Sequence, residues 1–270
     1  MISQGLASNG AKVYITGRRV DVLESTAKAW AEKKTGGPII PLQMDATDKE
    51  SIQAARNIIG EKEGRLHILV NNAGQSGPLS PFLNEPSPSA QKDASTLGPA
   101  LFASESFEEW KDLFAINTFS TYFVTVAFLD LLDKGSKDRE GYTSNVINIT
   151  SISGLIKLAQ RHFAYNSSKA AGSHITKMLS TEFAVKGIPV RVNAIAPGVY
   201  ESEMTHDVIS GATATDKVGM PIVSVPAKRP GTAEEMAGTV VYLASPAGEY
   251  MNGQELVIDG GYLAVNPSRT

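Results

Sequence analysis

The chain has 270 residues, is 42% hydrophobic and carries a formal net charge of −3, enough for one large core and without the basic excess typical of nucleic-acid-binding proteins. With no cysteine and four widely separated histidines, it has no disulfides, thiolate sites or cysteine nucleophiles, and we expect no metal site. No run approaches the roughly 18–20 apolar residues of a membrane span, and the first residues lack a signal-peptide pattern, so we expect a cytoplasmic protein without membrane contacts.

Short β-rich runs alternate with longer helical patterns along the chain. In chain order, the predicted elements are strand Lys12–Thr16, helix Val20–Lys33, strand Pro38–Gln43, helix Lys49–Glu61, strand Leu66–Val70, helix Phe107–Leu132, strand Ser144–Thr150, helix Phe163–Lys186, strand Pro189–Ile195, helix Thr232–Ala244 and strand Glu255–Ile258. This order predicts a single α/β domain over residues 1–270, with a doubly wound parallel sheet between layers of helices and right-handed crossovers.

Two stretches interrupt this alternation. Gln75–Ser104 is rich in Pro, Ser, Gly and Ala and is longer than an ordinary loop between a strand and a helix, so we interpret it as an inserted loop. It follows a strand end, where ligands bind in such sheets, and either lines the site or forms a solvated excursion. Thr205–Pro230 is a mixed segment that could form a lid over the substrate.

Tyr165 and Lys169 are four residues apart in a predicted helix, in the run Tyr165-Asn-Ser-Ser-Lys169. Residues at this spacing share one helix face. A free tyrosine has a pKa of about 10, and a nearby ammonium favours the phenolate and lowers that pKa, which suits the tyrosine to exchange a proton with an alcohol or ketone. The same spacing arises by chance in many helices, so its meaning depends on the residues around it.

Five other features accompany this pair. Ser151 ends a predicted strand, and its hydroxyl can donate to a substrate oxygen. Asn71-Asn-Ala-Gly74 closes another strand, and Asn117 lies inside a predicted helix although asparagine prefers caps and turns. Pro197 and Gly198 end a third strand, and Asp259-Gly-Gly261 follows the last one.

In the order and spacing of these motifs, from residue 1 to about residue 262, the chain resembles the short-chain dehydrogenase/reductases. The resemblance implies a Rossmann-type fold and hydride transfer between a nicotinamide cofactor and a ketone or 3-oxoacyl-type carbonyl, or the reverse oxidation. It makes Tyr165 the general acid/base, and Lys169 the residue that holds the nicotinamide ribose and lowers the pKa of Tyr165. Ser151 would orient the substrate oxygen, with Ser153 the weaker candidate. Asn117 would support a proton-relay water near Lys169; alternatively, it kinks its helix or is solvated.

Two arginines, Arg18 and Arg19, follow the first predicted strand closely. In nucleotide-binding folds an acidic residue near this place binds the ribose 2′-hydroxyl of NAD, whereas an arginine accommodates a 2′-phosphate. A guanidinium pairs with phosphate through two hydrogen bonds. We therefore predict NADP(H) as the cofactor, with Arg18 the better candidate and Arg19 the second; alternatively, the arginines only cap a strand at the surface.

The resemblance implies further cofactor contacts at other strand ends. At the adenine and its ribose these are Asp45, Asn71, Ala73 and Gly74. At the nicotinamide, its ribose and its carboxamide these are Tyr165, Lys169, Pro197, Gly198, Val199 and Ser202. Ser202 stands where the family usually has a threonine.

The resemblance leaves the first part of the family pattern unmatched. Family members open with a strand and a T-G-x-x-x-G-x-G turn before a helix, whereas this chain starts at Met1 inside a segment that matches the helix. The strand would lie between Lys12–Thr16 and Leu66–Val70, so both are expected to lose a neighbour, at roughly 1–3 kcal/mol for each buried unpaired backbone group. Three explanations fit this gap: the sequence starts roughly 20–30 residues late, the chain is a natural short variant, or another segment, such as one from Gln75–Ser104, fills the gap. We expect NADP(H) to bind more weakly than to a form with this part restored.

Several functions and assemblies stay open. The leading hypothesis is an NADP(H)-dependent oxidoreductase acting on a small-molecule carbonyl or alcohol; the alternatives are a catalytically impaired or scaffold protein, and a member with a non-redox reaction. Arg161 and His162 are the only polar hints about the substrate.

The family commonly forms homodimers or homotetramers through its long helices, and Phe123, Val126 and Met178 could serve such an interface or bury into their own sheet.

Overall fold

The chain folds into parallel strands covered by helices, and the computed structural model describes residues 1–84, 93–202 and 224–269. The strands are β1 (Val13–Gly17), β2 (Ile39–Gln43), β3 (Ile68–Asn71), β4 (Ser144–Ile149), β5 (Val190–Pro197) and β6 (Glu255–Ile258). The α-helices are α1 (Ile2–Ser8), α2 (Val20–Ala31), α3 (Lys49–Glu63), α4 (Ala94–Ser104), α5 (Phe107–Phe114), α6 (Ser120–Ala127), α7 (Leu129–Ser136), α8 (Phe163–Val185), α9 (Ala233–Ala244) and α10 (Tyr262–Val265). The Rossmann-type α/β prediction is confirmed.

The strands form two parallel sheets, because the described part of the chain has no strand paired between β1 and β3. One sheet has the order β1-β2 and the other β3-β4-β5-β6. Val13 of β1 packs against the same apolar cluster as Ile68 and Val70 of β3, so the two sheets share a core across the division. The division lies where the sequence analysis expects two strands to lose a neighbour.

Successive residues of the central strands enter two cores on opposite faces of the larger sheet. In β4, Val146 belongs to the core formed with α3, α6, α7 and α8, whereas Ile147 belongs to the core formed with α1 and α9. Both side chains are fully buried, as expected for strands covered on both faces. Helices α1 and α9 approach so closely that a Cβ on Gly5 would lie 2.5 Å from the Cβ of Ala237.

The long helix predicted over Phe107–Leu132 is wrong as one continuous element. After α5 the backbone forms a π-helical turn over Ala115–Phe119, and a bend of 55° at a break near Phe128 separates α6 from α7. Asn117 lies in the π-helical turn, and its side chain hydrogen-bonds a neighbouring loop instead of facing solvent. π-helical turns inside α-helices are frequent at functional sites.

The stretch Gln75–Ser104 is more regular than the inserted loop that its composition predicts. It contains a 3-10 helix at Pro81–Asn84 and α4, which begins with a capping box between Asp93 and Thr96. Of the predicted lid at Thr205–Pro230, residues 205–223 lie outside the described residues.

No single helix among the described residues is long and apolar enough to span a bilayer. The pair Phe107–Ala127 and Leu129–Ser136 meets the length and composition criteria only when its two bent parts are taken together.

Candidate active site

The predicted catalytic side chains meet where β4 ends and α8 begins. Ser151 directly follows the loop residue after β4, and Tyr165 and Lys169 lie in the first two turns of α8. Helix α8 packs against β5 and against the 3-10 turn Ile152–Gly154. Ligands bind at the carboxyl ends of strands in open parallel sheets, so this is the expected edge.

Ser151 and Tyr165 form the first contact of the site. The two side chains are hydrogen-bonded, and Ser151 is only 8% exposed. The backbone N–H of Ser153 donates to Ser151 Oγ at 3.1 Å, which fixes the position of that oxygen. Ser153 therefore supports Ser151 through its backbone, as well as being the second candidate for its role.

Lys169 is buried beneath the ring of Tyr165. Its Nζ lies 5.7 Å from the ring centroid and donates to the carbonyl of Ile149 at 3.0 Å. Burial lowers the pKa of Lys169 to about 8. A lysine ammonium has three N–H donors. Among the described residues, the ammonium of Lys169 has one hydrogen-bond acceptor, the carbonyl of Ile149, so two N–H donors remain for a ligand.

The expected lowering of the Tyr165 pKa is wrong for this arrangement. Burial raises the pKa of Tyr165 above its ordinary value, and the hydrogen bond from Ser151 opposes this only in part. The physical reason is that desolvation disfavours the phenolate and outweighs the hydrogen bond from Ser151. Tyr165 is therefore protonated at neutral pH and is set to donate a proton.

Asn117 connects the site to the loop after β3. Its Oδ1 accepts from Gln75 N at 2.8 Å, and its Nδ2 donates to Gln75 O at 2.9 Å and to Ser168 Oγ at 3.1 Å. A Cβ on Gly74 would lie 3.2 Å from Asn117 Oδ1 and 3.5 Å from Lys169 Nζ. Asn117 is thus near Lys169 as predicted, its alternative as a solvated side chain is wrong, and Gly74 leaves the site open.

The predicted adenine side of a cofactor site lies after β1, β2 and β3. Arg18 is exposed just beyond β1, and Arg19 is the N-cap residue of α2. Hydrogen bonds from Thr47, with the charge of Arg18 contributing, lower the pKa of Asp45. Asn71 Nδ2 donates to Thr125 Oγ1 at 3.0 Å and to Asn148 Oδ1 at 2.8 Å. The Asn71 side chain therefore joins β3 to β4, and Ala73 and Gly74 follow it at the open edge.

The predicted nicotinamide side lies after β5. Pro197 is its last residue, Gly198 N donates to Ile258 O at 3.0 Å, and Val199 O accepts from Gly231 N at 2.9 Å. The first bond holds the turn after β5 beside the end of β6, and the second holds it beside the segment that precedes α9. Ser202 is the last residue described before residue 224.

The sequence motifs do not indicate a polar cluster that lies behind the site. Glu255, the first residue of β6, accepts through Oε1 from Thr150 Oγ1 at 2.7 Å and from Ser173 Oγ at 2.6 Å. Thr150 precedes Ser151, and Ser173 lies one turn beyond Lys169. The carboxylate therefore ties together the two segments that carry the catalytic candidates, but it comes more than 80 residues after Ser173 and no local motif marks it.

The residues at this edge fit a nicotinamide dinucleotide. A buried ammonium with unused donors, a glycine beside it and an exposed arginine after β1 follow one another along the ends of the strands. A nicotinamide dinucleotide is long enough to contact the ammonium, the glycine and the arginine at once.

Comparisons with known proteins show the family to which the chain is similar. Residues 1–263 match the family model described as Enoyl-(Acyl carrier protein) reductase. The chain is 39% identical to the short-chain dehydrogenase/reductase PhomF of Diaporthe leptostromiformis, over 99% of this chain and 88% of that protein. It is 31% identical to the rhamnolipids biosynthesis 3-oxoacyl-[acyl-carrier-protein] reductase of Pseudomonas aeruginosa, over 97% and 90%. The structure resembles the Pseudomonas aeruginosa RhlG/NADP active-site complex with a TM-score of 0.78 and 28% identity, over 97% and 90% of the two chains.

Proposed function

The chain belongs to the short-chain dehydrogenase/reductase family, and we propose that it is an NADP(H)-dependent oxidoreductase that interconverts a ketone or 3-oxoacyl-type carbonyl with its alcohol. The observation that carries the proposal is the contact between Ser151 and Tyr165 above the buried Lys169. A relative that is 31% identical is named as a 3-oxoacyl-[acyl-carrier-protein] reductase, which supports the carbonyl class.

The side chains perform the proton part of this reaction. Ser151 positions the carbonyl oxygen beside the hydroxyl of Tyr165, and that hydroxyl donates its proton as the oxygen gains negative charge. When bound, a nicotinamide dinucleotide supplies the hydride for the carbonyl carbon. The ammonium of Lys169 stabilises the phenolate that Tyr165 leaves behind, because opposite charges attract strongly where water is excluded. The raised pKa of Tyr165 means that the tyrosine is protonated before the reaction, as a proton donor must be.

We infer a preference for NADP(H) over NAD(H) from the basic residues after β1. Arg18 is exposed there and its guanidinium can pair with a 2′-phosphate, with Arg19 in the next position as the second candidate. Asp45 lies near enough to Arg18 for the two charges to interact, and this supports one adenine-side site formed by both. The RhlG structure, which is similar over most of the chain, is described as an NADP complex.

A second candidate function follows from the division of the sheet between β1 and β3. The division borders the edge at which a dinucleotide would lie, so it favours a member of the family that binds its cofactor weakly and is catalytically impaired or non-redox. The NADPH dissociation constant discriminates the two candidates. Micromolar binding supports the oxidoreductase, and binding weaker than about 1 mM supports the second candidate.

The direct test of the oxidoreductase is loss of NADPH absorbance with a panel of ketones and 3-oxoacyl thioesters. We expect turnover with at least one compound and faster turnover with NADPH than with NADH. Lack of turnover with the whole panel, despite tight NADPH binding, would contradict the carbonyl reductase.

We also infer that the protein forms a homodimer or homotetramer through α6 and α8. Phe123 and Val126 on α6 are each 37% exposed, and Met178 on α8 is 53% exposed. Their burial in their own sheet, the alternative from the sequence, is therefore incomplete. Exposed apolar side chains on neighbouring helices are typical of association surfaces.

A further inference from the structure

The turn that precedes α8 has an unusual backbone. Gln160 and Arg161 have φ angles of 55° and 66°, which lie in the left-handed region that residues with a Cβ rarely adopt. The two residues are consecutive and stand directly before His162, the N-cap residue of the helix that carries Tyr165. Unfavourable backbone of this kind persists only where surrounding contacts fix it, and it concentrates at functional sites.

Hydrogen bonds from two directions fix this turn. Asn166 Nδ2, inside α8, donates to the carbonyls of Leu158 at 3.0 Å and Ala159 at 3.2 Å. From the loop after β3, Ser80 N donates to the carbonyl of Arg161 at 2.9 Å. The backbone of the turn is therefore held on both sides.

Polar atoms of this turn have no partner within the protein. Among the described residues, the buried Nε of Arg161, the buried Nδ1 of His162 and the buried Oδ1 of Asn166 make no hydrogen bond. The carboxylate whose charge acts on His162 is Glu105, but its oxygens already accept from Ser80 Oγ at 2.8 Å and from Trp110 Nε1 at 2.6 Å. Buried polar groups in native proteins are nearly always paired, so unpaired ones next to the candidate reaction centre are available to a ligand.

The turn lies beside the reacting position. The ring centroid of His162 is 6.0 Å from that of Tyr165, in an edge arrangement. Burial and the charge of Arg161 lower the pKa of His162, so the imidazole is neutral near pH 7 and offers one N–H donor. A guanidinium and a neutral imidazole are both suited to an oxygen acceptor, and the guanidinium favours one that carries negative charge.

We propose that Arg161 and His162 form a substrate subsite for a carboxylate, so that the favoured substrates are oxo acids and the corresponding hydroxy acids. This inference rests on the proposed carbonyl reduction and narrows its substrate class. The carbonyl oxygen contacts Ser151 and Tyr165, and the carboxylate on the same short carbon chain reaches the guanidinium of Arg161 and the ring of His162. Neither group takes part in proton or hydride transfer.

The kinetic test compares acids with their neutral esters. Pyruvate, acetoacetate and 4-oxopentanoate are each compared with the methyl ester in NADPH oxidation. We expect kcat/KM to favour at least one acid over its ester by about tenfold or more, a typical gain for a charge-assisted contact. Arg161→Gly should remove this preference by raising KM for the acid, with kcat and the ester kinetics unchanged. Glycine accepts the left-handed φ at this position, so the variant keeps the turn.

Three further variants separate specific binding from general effects. Lys157→Gln removes an exposed positive charge from the same segment and should leave the acid preference unchanged. Arg161→Lys should restore part of it, and His162→Phe should weaken it. Equal kinetics of acids and esters in the unmodified protein, or an equal loss for both in Arg161→Gly, would overturn the subsite while leaving the carbonyl reductase intact.

A binding measurement keeps this test independent of turnover. Dissociation constants of the same acids are measured by ligand-detected NMR for the unmodified protein and for Arg161→Gly. Weaker binding of the acids by the variant, together with no NADPH oxidation, would support the subsite and contradict the proposed reaction. Equal binding by the two proteins would overturn the subsite whatever the kinetics show.

Discussion

Lys169 donates from Nζ to the carbonyl of Ile149 at 3.0 Å, which joins helix α8 to the end of strand β4. The bond places the ammonium below Tyr165 and beside the loop that carries Ser151. It also keeps a charge in a buried place, where burial lowers the lysine pKa to about 8. The buried charge of Lys169 therefore lowers the free energy of unfolding, and replacing the lysine should show by how much.

Lys169→Met should stabilise the fold while it abolishes activity. A lysine with a folded pKa of about 8 and an unfolded value of 10.5 holds its proton less tightly when folded, so its charge opposes folding most below pH 8. At about 1.4 kcal/mol per pKa unit, and allowing for the lost bond to Ile149, we expect roughly 1–3 kcal/mol more unfolding free energy at pH 7. Urea unfolding at pH 7 and near pH 10 tests this, since the gain should shrink at the higher pH. A variant less stable than the parent at pH 7 would contradict it.

Glu255→Leu should reduce turnover more than it reduces stability. The carboxylate holds Thr150 and Ser173, but each hydroxyl also has a backbone carbonyl within hydrogen-bond distance. The loss in unfolding free energy should therefore be only about 1–2 kcal/mol. We expect kcat to fall about tenfold with KM little changed, because the spacing of the catalytic groups is no longer fixed. Glu255→Gln, which keeps an acceptor oxygen, is the control and should retain most activity.

Arg18→Ala should change the choice between cofactors. The loss of one guanidinium–phosphate pair should weaken NADPH binding about tenfold and leave NADH binding nearly unchanged. Arg19→Ala serves as the comparison and should have a smaller effect. Calorimetric titration with both dinucleotides measures the ratio, and an equal loss for NADPH and NADH would show that Arg18 does not bind the 2′-phosphate.

Met178→Lys should shift the protein towards monomers. The substitution places a charge on the exposed apolar face that α8 shares with α6. Association through this face would bury the lysine charge away from water, which is unfavourable. Light scattering coupled to size exclusion gives the mass of both forms. Val22→Lys, at a similarly exposed apolar residue on α2, is the matched control and should keep the parent mass. A monomeric parent protein would remove the basis for this interface.

Much of the fold was predictable because its signals are local. The β-branched runs and helical periodicity place the strands and most helices to within a few residues. The division of the sheet was expected because the chain has no match to the family strand that would lie between Lys12–Thr16 and Leu66–Val70. The catalytic candidates were predictable for the same reason, since Ser151, Tyr165 and Lys169 lie in short motifs.

The remaining features depend on contacts between distant residues. The π-helical turn at Asn117 forms where the Asn117 side chain hydrogen-bonds Gln75, which lies 42 residues earlier. Helical periodicity is a local pattern and does not indicate such a contact. The role of Glu255 depends on its approach to Thr150 across 105 residues. The raised pKa of Tyr165 depends on how deeply the ring is buried, whereas the sequence shows only the spacing to Lys169.

The most direct test of the proposed chemistry is the Tyr165→Phe substitution in the full chain. NADPH oxidation with a ketone that the unmodified protein reduces gives kcat, and titration gives the NADPH dissociation constant of both proteins. We predict that kcat falls by at least about 100-fold, because the proton donor is lost, while the dissociation constant stays within about twofold. Full activity in Tyr165→Phe would contradict the assignment of Tyr165 as the proton donor.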